Sequence, residues 1–286
     1  MNTATEASIV IRDIESAEEV RRVERLQVEV WGVPDLDVVP LSQLVAAKTS
    51  GGVLLGAFDG ERLIGFAYGF VGYERGRIVH HSHMLAVLPE YRDRDLGFRL
   101  KAAQRERVLA QGIDTMTWTF DPLQSLNAHF NFNKLGVVAD QYFVDFYGDD
   151  ASSFLHRNGT DRLWVTWPLA SERVRKKLDK TYSAKGTARS PALVELDEND
   201  RPQCNDLTHR LSGDGALIEI PTNINELERV DFQLASEWRA ATRLAFVEAL
   251  AAGFVVEDFY RMGLPNCQIG AYILGRGKES TSWIEE

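Results

Sequence analysis

The chain has 286 residues, 44% hydrophobic and 26% charged, and its 32 basic and 42 acidic residues leave a net charge of −10. That composition excludes a disordered or fibrous chain, and the acidic balance argues against a general nucleic-acid or anionic-membrane binder, which needs a basic footprint. Two cysteines, Cys204 and Cys267, are too few for a disulfide framework or a cysteine-rich metal site.

The length corresponds to roughly two domains at about 100–200 residues each. The N-terminal MNTATEASIVIRD has no basic region followed by an apolar run, and no stretch reaches the ~18 apolar residues of a membrane span. The expectation is a cytoplasmic globular protein. Residues 7–14 predict a first strand. Ser16 and Glu19 form a capping-box pair, and Val20, Val23, Leu26 or Gln27, and Val30 follow at helical spacing until Gly32 and Pro34 stop the helix. A shorter helix is predicted over 41–49. The apolar runs 52–58 and 62–70, separated by Asp59-Gly60-Glu61, predict a hairpin, and 77–87 another strand. Residues 98–111 read as a helix with Phe98, Ala102 and Leu109 on its apolar side. A strand over 115–120, a helix over 125–135 and strands over 142–147 and 163–167 complete the first part.

Residues 171–190 then hold seven basic and two acidic residues with little apolar content, the pattern of a solvated helix end and a linker. Strands are predicted at 192–196, 216–220, 254–259 and 268–274. Between them a helical face runs through Leu227, Val230, Leu234, Trp238, Ala241 and Ala245. The expected domains are therefore 1–170 and 191–286.

Chemistry concentrates in residues 80–109, HHSHMLAVLPEYRDRDLGFRLKAAQRERVL. A strand leads into a loop with Arg92, Arg94 and Gly97, and the loop opens into a helix whose first amides point outward with the positive end of the dipole. Such a turn suits a phosphate or pyrophosphate, although an ordinary connection with solvated arginines fits the same residues. On the strand, alternation puts His81 and His83 on one face and His80 on the other.

The order of elements resembles that of the GNAT superfamily of N-acyltransferases. Arg92-Asp93-Arg94-Asp95-Leu96-Gly97, after Val87-Leu88-Pro89, resembles its R/Q-x-x-G-x-G/A pyrophosphate loop. Ala128, Lys134, Leu135 and Gly136 resemble its A-x-x-x-Y-x-K-L-G helix. The likeness covers about residues 7–170. It implies an α/β fold with a mixed, mainly antiparallel twisted sheet flanked by helices; the predicted elements of residues 191–286 read as a smaller α/β domain following it. It also implies acetyl-CoA or another short acyl-CoA as co-substrate. The donor's arm would meet backbone groups of Leu85, Ala86 and Val87, its pyrophosphate the amides of Arg92, Asp93, Arg94, Asp95, Leu96, Gly97 and Phe98, and Asn127 would touch the arm. Two departures stand out. Asp95 replaces the usual glycine, and aspartate tolerates left-handed angles but its charge repels a phosphate. Phe132 replaces the tyrosine that commonly protonates the leaving thiolate, and neither Tyr142 nor Tyr147 is placed near the sulfur by sequence.

The spacing His81-x-His83-x-Leu85-Ala86-Val87 resembles arylalkylamine N-acetyltransferases, in which two histidines help remove the amine's proton. A histidine pKa of about 6.5 suits that task. Packed, hydrogen-bonded histidines fit the same pattern, and metal binding lacks an evident third ligand. The resulting expectation is acyl transfer to a small primary amine or amino acid by His81, with His83 assisting. Acetyl is the first choice of acyl group, and succinyl is an open alternative. No nucleic acid, membrane or metal is expected as a partner, and the C-terminal part is a candidate dimerisation or substrate-shaping unit. The rival reading is a CoA-binding or sensing module without catalysis, which Asp95 and Phe132 favour. Residues 191–286 carry 17 acidic and 8 basic residues, so nearly all the net charge lies outside the proposed donor loop.

Overall fold

Ser16 opens the first helix as the capping box requires: its hydroxyl accepts from the Glu19 amide at 3.2 Å, and the Glu19 carboxylate accepts from the Ser16 amide. The structure is a computed structural model that describes residues 9–148, 157–182, 190–264 and 267–276. The chain resolves into two compact units, Met1–Trp118 and Thr119–Glu286.

The first unit contains β1 (Val10–Asp13), α1 (Ala17–Trp31), α2 (Leu41–Thr49), β2 (Val53–Asp59), β3 (Arg62–Glu74) and β4 (Arg77–Val87). A 3₁₀ segment, Pro89–Arg94, then leads into α3 (Leu96–Ala110), and β5 (Thr115–Phe120) crosses into the second unit. The strands lie in the order β1-β2-β3-β4-β5, antiparallel except for β4 and β5. This is a mixed α/β architecture with a mostly antiparallel sheet flanked by helices. Helix α1 buries Val20, Val23, Leu26 and Gln27, and ends where Gly32 adopts the left-handed conformation (φ 62°). Its Trp31 ring meets Phe66 of β3 edge-on at 6.0 Å. Side chains alternate along β3, so Phe66 and Tyr68 face the side of α1 and α2, and Gly69 faces Gln104 of α3.

The buried face of α3 differs from the one expected. Leu96, Leu100, Lys101, Gln104 and Val108 are buried, whereas Phe98, Ala102 and Leu109 are half-buried. Apolar spacing misses this face because two of its five members are polar.

The second unit contains α4 (Ser125–Ala128), which continues as a π-helical stretch His129–Leu135, then β6 (Val138–Phe143), β7 (Arg162–Pro168) and α5 (Glu172–Leu178). After these come β8 (Ala192–Leu196), β9 (Pro202–Cys204), α6 (Leu207–Arg210), β10 (Gly215–Pro221), α7 (Ile224–Val230), α8 (Phe232–Ala251), β11 (Val255–Leu264) and β12 (Cys267–Gly275). Its strand order is β7-β6-β11-β12-β10-β8-β9. Trp238, Ala241 and Ala245 are buried as the periodicity predicts. The helix is broken at Asp231, whose side chain caps the Leu234 amide, and Val230 is 68% exposed.

The expected boundary at 171–190 is not where the units part. Strands β6 and β7 pair with each other, and Ala139 of β6 pairs with Val256 of β11, which ties residues 138–168 to the C-terminal strands. Helix α5 is likewise not simply solvated: Val174 is fully buried, and the buried Lys177 ammonium pairs with Asp258 at 2.9 Å. Residues 183–189 of the expected linker lie outside the described residues.

Candidate active site

Strands β3 and β4 are in register at Tyr68↔Met84 and again at Phe70↔His81, so Ser82 and His83 together oppose Gly69. This extra residue is a β-bulge in β4. Gly69 fits the bulge because a side chain there would sit only 2.7 Å from the His81 carbonyl oxygen and would also strike the His80 ring. Among the described residues β4 pairs with β5 only at His80↔Met116 and His81↔Thr117. Beyond His81, therefore, one edge of β4 pairs with β3 as far as Gly65↔Val87 while the other leaves β5. Leu85, Ala86 and Val87 lie on this diverging stretch.

The bulge keeps His81 and His83 on one face. Their rings lie 6.2 Å apart, and Phe70 lies 5.3 Å from His81 and 5.8 Å from His83. Tyr68 meets His83 edge-on at 6.0 Å. His81 is half-buried and His83 exposed. The His81 Nδ1 is 3.2 Å from the Thr117 hydroxyl, which itself donates to the Glu74 carboxylate at 2.7 Å. Neither Thr117 nor Glu74 is signalled by sequence, because they reach the histidine from β5 and from the far end of β3.

Burial lowers the His81 pKa to about 4, with His83, Lys101 and His80 adding to the effect. His81 is therefore a neutral imidazole at pH 7.

The opposite face carries a buried polar cluster that the sequence reading also missed. Lys101 donates to Ser82 Oγ at 2.8 Å, and Ser82 donates to Gln104 Oε1 at 2.8 Å. The Lys101 amine lies 3.5 Å from the centre of the Trp118 ring, and desolvation holds its pKa well below the ordinary value. His80 is fully buried beside it, with a pKa lowered to about 4, first by burial and then by Lys101. A group that is neutral when folded and protonated when unfolded makes the unfolded state bind more protons, so stability rises with pH across that window. For His80 the window runs from about 4 to 6.5, and the contribution lost on acidification is on the order of 3 kcal/mol. Urea melts at pH 4.5 and 7 should show this loss in the wild type and a smaller one in His80→Leu. Equal losses in the two proteins would refute it.

After Val87, the Leu88 amide bonds the Ile64 carbonyl at 2.9 Å, and Pro89–Arg94 forms the 3₁₀ segment. Asp95 then takes the left-handed conformation (φ 56°, ψ 20°) that the usual glycine would supply, and makes no side-chain cap to α3. Arg92 and Arg94 are exposed; the Arg92 guanidinium bonds the Val87 carbonyl at 3.4 Å, and Arg94 lies over the Tyr91 ring at 5.0 Å. Leu96 is buried, and Gly97 and Phe98 are half-buried in the first turn of α3. The Asp93 side chain lies outside the described residues. The first unit thus brings His81, His83, residues 85–87 and residues 92–98 onto one strand–loop–helix connection.

Three other candidates belong to the second unit. Asn127 is exposed on α4. Phe132 is fully buried, its ring 5.8 Å from Tyr272 and 6.3 Å from Phe120. The Tyr142 hydroxyl donates to Asp161 at 2.6 Å, and burial together with that carboxylate pushes its pKa far up. The sequon Asn158-Gly159-Thr160 has a buried asparagine whose amide donates to the Ala235 carbonyl at 3.0 Å.

No curated protein sequence matches this chain. Solved structures similar to it include the ribosomal-protein-S18-alanine N-acetyltransferase of Escherichia coli, at 13% identity and TM-score 0.46, covering 58% of this chain and 97% of that one. A GNAT family acetyltransferase from Elizabethkingia anophelis with acetyl-CoA bound is 14% identical, with TM-score 0.44 and coverage of 56% and 97%. An acetyltransferase of the GNAT family from Streptococcus pneumoniae is 14% identical, with TM-score 0.45 and coverage of 56% and 98%. The sequence model of the Acetyltransferase (GNAT) family matches residues 14–136, which include the bulged strand, the loop and α3, and this segment of the chain is a GNAT acetyltransferase domain.

Proposed function

We propose that the first unit transfers a short acyl group from acyl-CoA to a small primary amine or amino acid, with His81 accepting the amine's proton. The observation that carries this reading is a histidine at the point where β4 leaves β5, its Nδ1 3.2 Å from the Thr117 hydroxyl and its pKa lowered by burial. Acyl-CoA supplies a thioester whose carbonyl is already activated toward amines. Backbone groups of Leu85, Ala86 and Val87 have an edge on which an extended arm can pair as an added strand would. The amides from Arg92 through Phe98, at the positive end of α3, together with the Arg92 and Arg94 guanidiniums, suit a pyrophosphate.

A pKa near 4 makes His81 a weak base toward a free ammonium. An amine that has begun to bond to a carbonyl carbon is far more acidic, so His81 accepts its proton during attack rather than before it. The low value also keeps His81 in its accepting form at pH values where a solvated histidine would be protonated. His83 and Phe70 flank the ring. Acetyl is the acyl group this reading favours.

Asp95 offers a direct test of the donor loop. Left-handed backbone strains a non-glycine residue by roughly 1–2 kcal/mol, less for aspartate, and a carboxylate repels phosphate. Asp95→Gly should therefore raise stability by about 0.5–1 kcal/mol and tighten binding of CoA. Calorimetry that showed weaker CoA binding by Asp95→Gly would argue against pyrophosphate at this loop.

A second reading, a CoA-binding protein without turnover, is favoured by Phe132, whose ring is core where a proton donor is expected. Thiol release from an acyl-CoA panel crossed with amines and amino acids separates the two. Acceptor-dependent release supports transfer. Saturable CoA binding with no release above hydrolysis for any acceptor supports the second reading.

A further inference from the structure

The chain Glu74–Thr117–His81 has a direction fixed by chemistry. A carboxylate only accepts hydrogen bonds, so at 2.7 Å the single Thr117 hydroxyl proton is committed to Glu74. The contact of 3.2 Å between Thr117 Oγ1 and His81 Nδ1 can then be a hydrogen bond only if Nδ1 carries the hydrogen. We propose that Glu74, acting through the Thr117 hydroxyl, is a positioning residue that holds His81 in the Nδ1–H tautomer and so makes Nε2 its proton acceptor. The proposal rests on the reading of His81 as the base and adds two residues to it.

The placement suits the role. Thr117 is 2% exposed, so no bulk water competes for its hydroxyl. It lies at the second of the two β4–β5 register positions, which fixes its distance from His81 through backbone pairing. Glu74 ends β3 beside the turn into β4, in register with Arg77. When Nε2 takes a proton from the amine nitrogen, the ring becomes an imidazolium with hydrogen on both nitrogens. The Nδ1 and Thr117 protons stay where they are, and Glu74 faces the new charge through the hydroxyl. The proton later leaves Nε2 for solvent, and the chain is restored. The other groups around the ring oppose charging: His83 and His80 from β4 and Lys101 from α3 each lower its proton affinity, and Phe70 from β3 offers only an apolar ring. Glu74 is the carboxylate that these contacts link to the ring, through the Thr117 hydroxyl.

Long-range proton–nitrogen NMR of the full chain reads the tautomer directly and needs no acceptor. The wild type should show Nδ1–H at His81. Thr117→Val should lose that preference, and Thr117→Ser should restore it. In Glu74→Gln the carboxamide can donate to the threonine oxygen, which frees the hydroxyl proton to point at Nδ1, so the Nε2–H form should grow. With an acceptor in hand, Thr117→Val should lower kcat by about 10–100-fold, less than the ~10²–10⁴ that loss of the general base itself would cost. KM for acyl-CoA should stay unchanged, and kcat should recover in Thr117→Ser. An Nε2–H tautomer in the wild type, or an Nδ1–H tautomer that persists in both Thr117→Val and Glu74→Gln, would overturn the proposal. Loss of the base reading looks different: His81→Gln would then turn over normally whatever the tautomer.

Discussion

Replacing His81 by glutamine is expected to lower turnover by about 10²–10⁴-fold, the range a positioned general base supplies. Glutamine keeps most of the volume and a hydrogen-bonding end near Thr117 but cannot take up a proton at neutral pH. The donor contacts proposed at residues 85–87 and 92–98 do not involve this side chain, so acyl-CoA affinity should be unchanged. His83 is exposed and has no link to Thr117 among the described contacts, so His83→Gln should cost much less. The check is steady-state thiol release alongside calorimetric titration of acetyl-CoA. Full turnover in His81→Gln would remove His81 as the base, whereas lost turnover together with lost donor binding would indicate damage to the fold.

The largest effect on stability is expected in the second unit, at Asp121. Its two carboxylate oxygens accept from the two Nη atoms of Arg239, each at 2.8 Å, and one also accepts from the Leu123 amide at 2.9 Å. Arg239 is 4% exposed, and its Nε donates to the Asn158 carbonyl at 2.8 Å. Burial alone would lower the guanidinium's pKa, but Asp121, with Tyr142 and Asp161 contributing less, more than offsets this and raises it. Asp121→Ala leaves a desolvated cation without its hydrogen-bonded carboxylate, which costs about 3–5 kcal/mol. Replacing both partners by apolar residues of similar volume, as in Asp121→Leu with Arg239→Met, should cost far less, because no buried charge remains. Chemical denaturation of the three proteins measures both quantities. A loss below about 1 kcal/mol in Asp121→Ala would mean that water reaches the guanidinium and the pair acts as an exposed one.

The parts of this molecule that were legible in the sequence are those set by local rules. The capping box at Ser16, the stop at Gly32, the hairpin around Asp59-Gly60-Glu61 and the strand over 77–87 depend on residues near one another in the chain. The left-handed turn at Asp95 was legible for the same reason. Non-local contacts account for what was missed. The bulge at Ser82 and His83 comes from register against Gly69, and the Glu74–Thr117–His81 chain gathers residues from three strands. Polar residues misled the reading of α3, where Lys101 and the Gln104 carbonyl are buried against Ser82 of β4 and share hydrogen bonds with its hydroxyl. Charge misled it again at 171–190, where a basic run suggests solvent but Lys177 turns inward to Asp258. The helical face from Leu227 to Ala245 was correct over its second half and failed at Asp231, whose cap starts a new helix.

The central claim is that residues 14–136 work as an acyl-CoA-dependent transfer unit, with the donor between the open edge of β4 and the start of α3. Titration of the full chain with acetyl-CoA, followed by backbone amide shifts, tests it most directly. Saturable binding that perturbs the amides of Leu85–Val87 and of Arg92–Phe98 is the predicted result. No saturable binding, or binding whose perturbations leave both segments unchanged, would contradict the account.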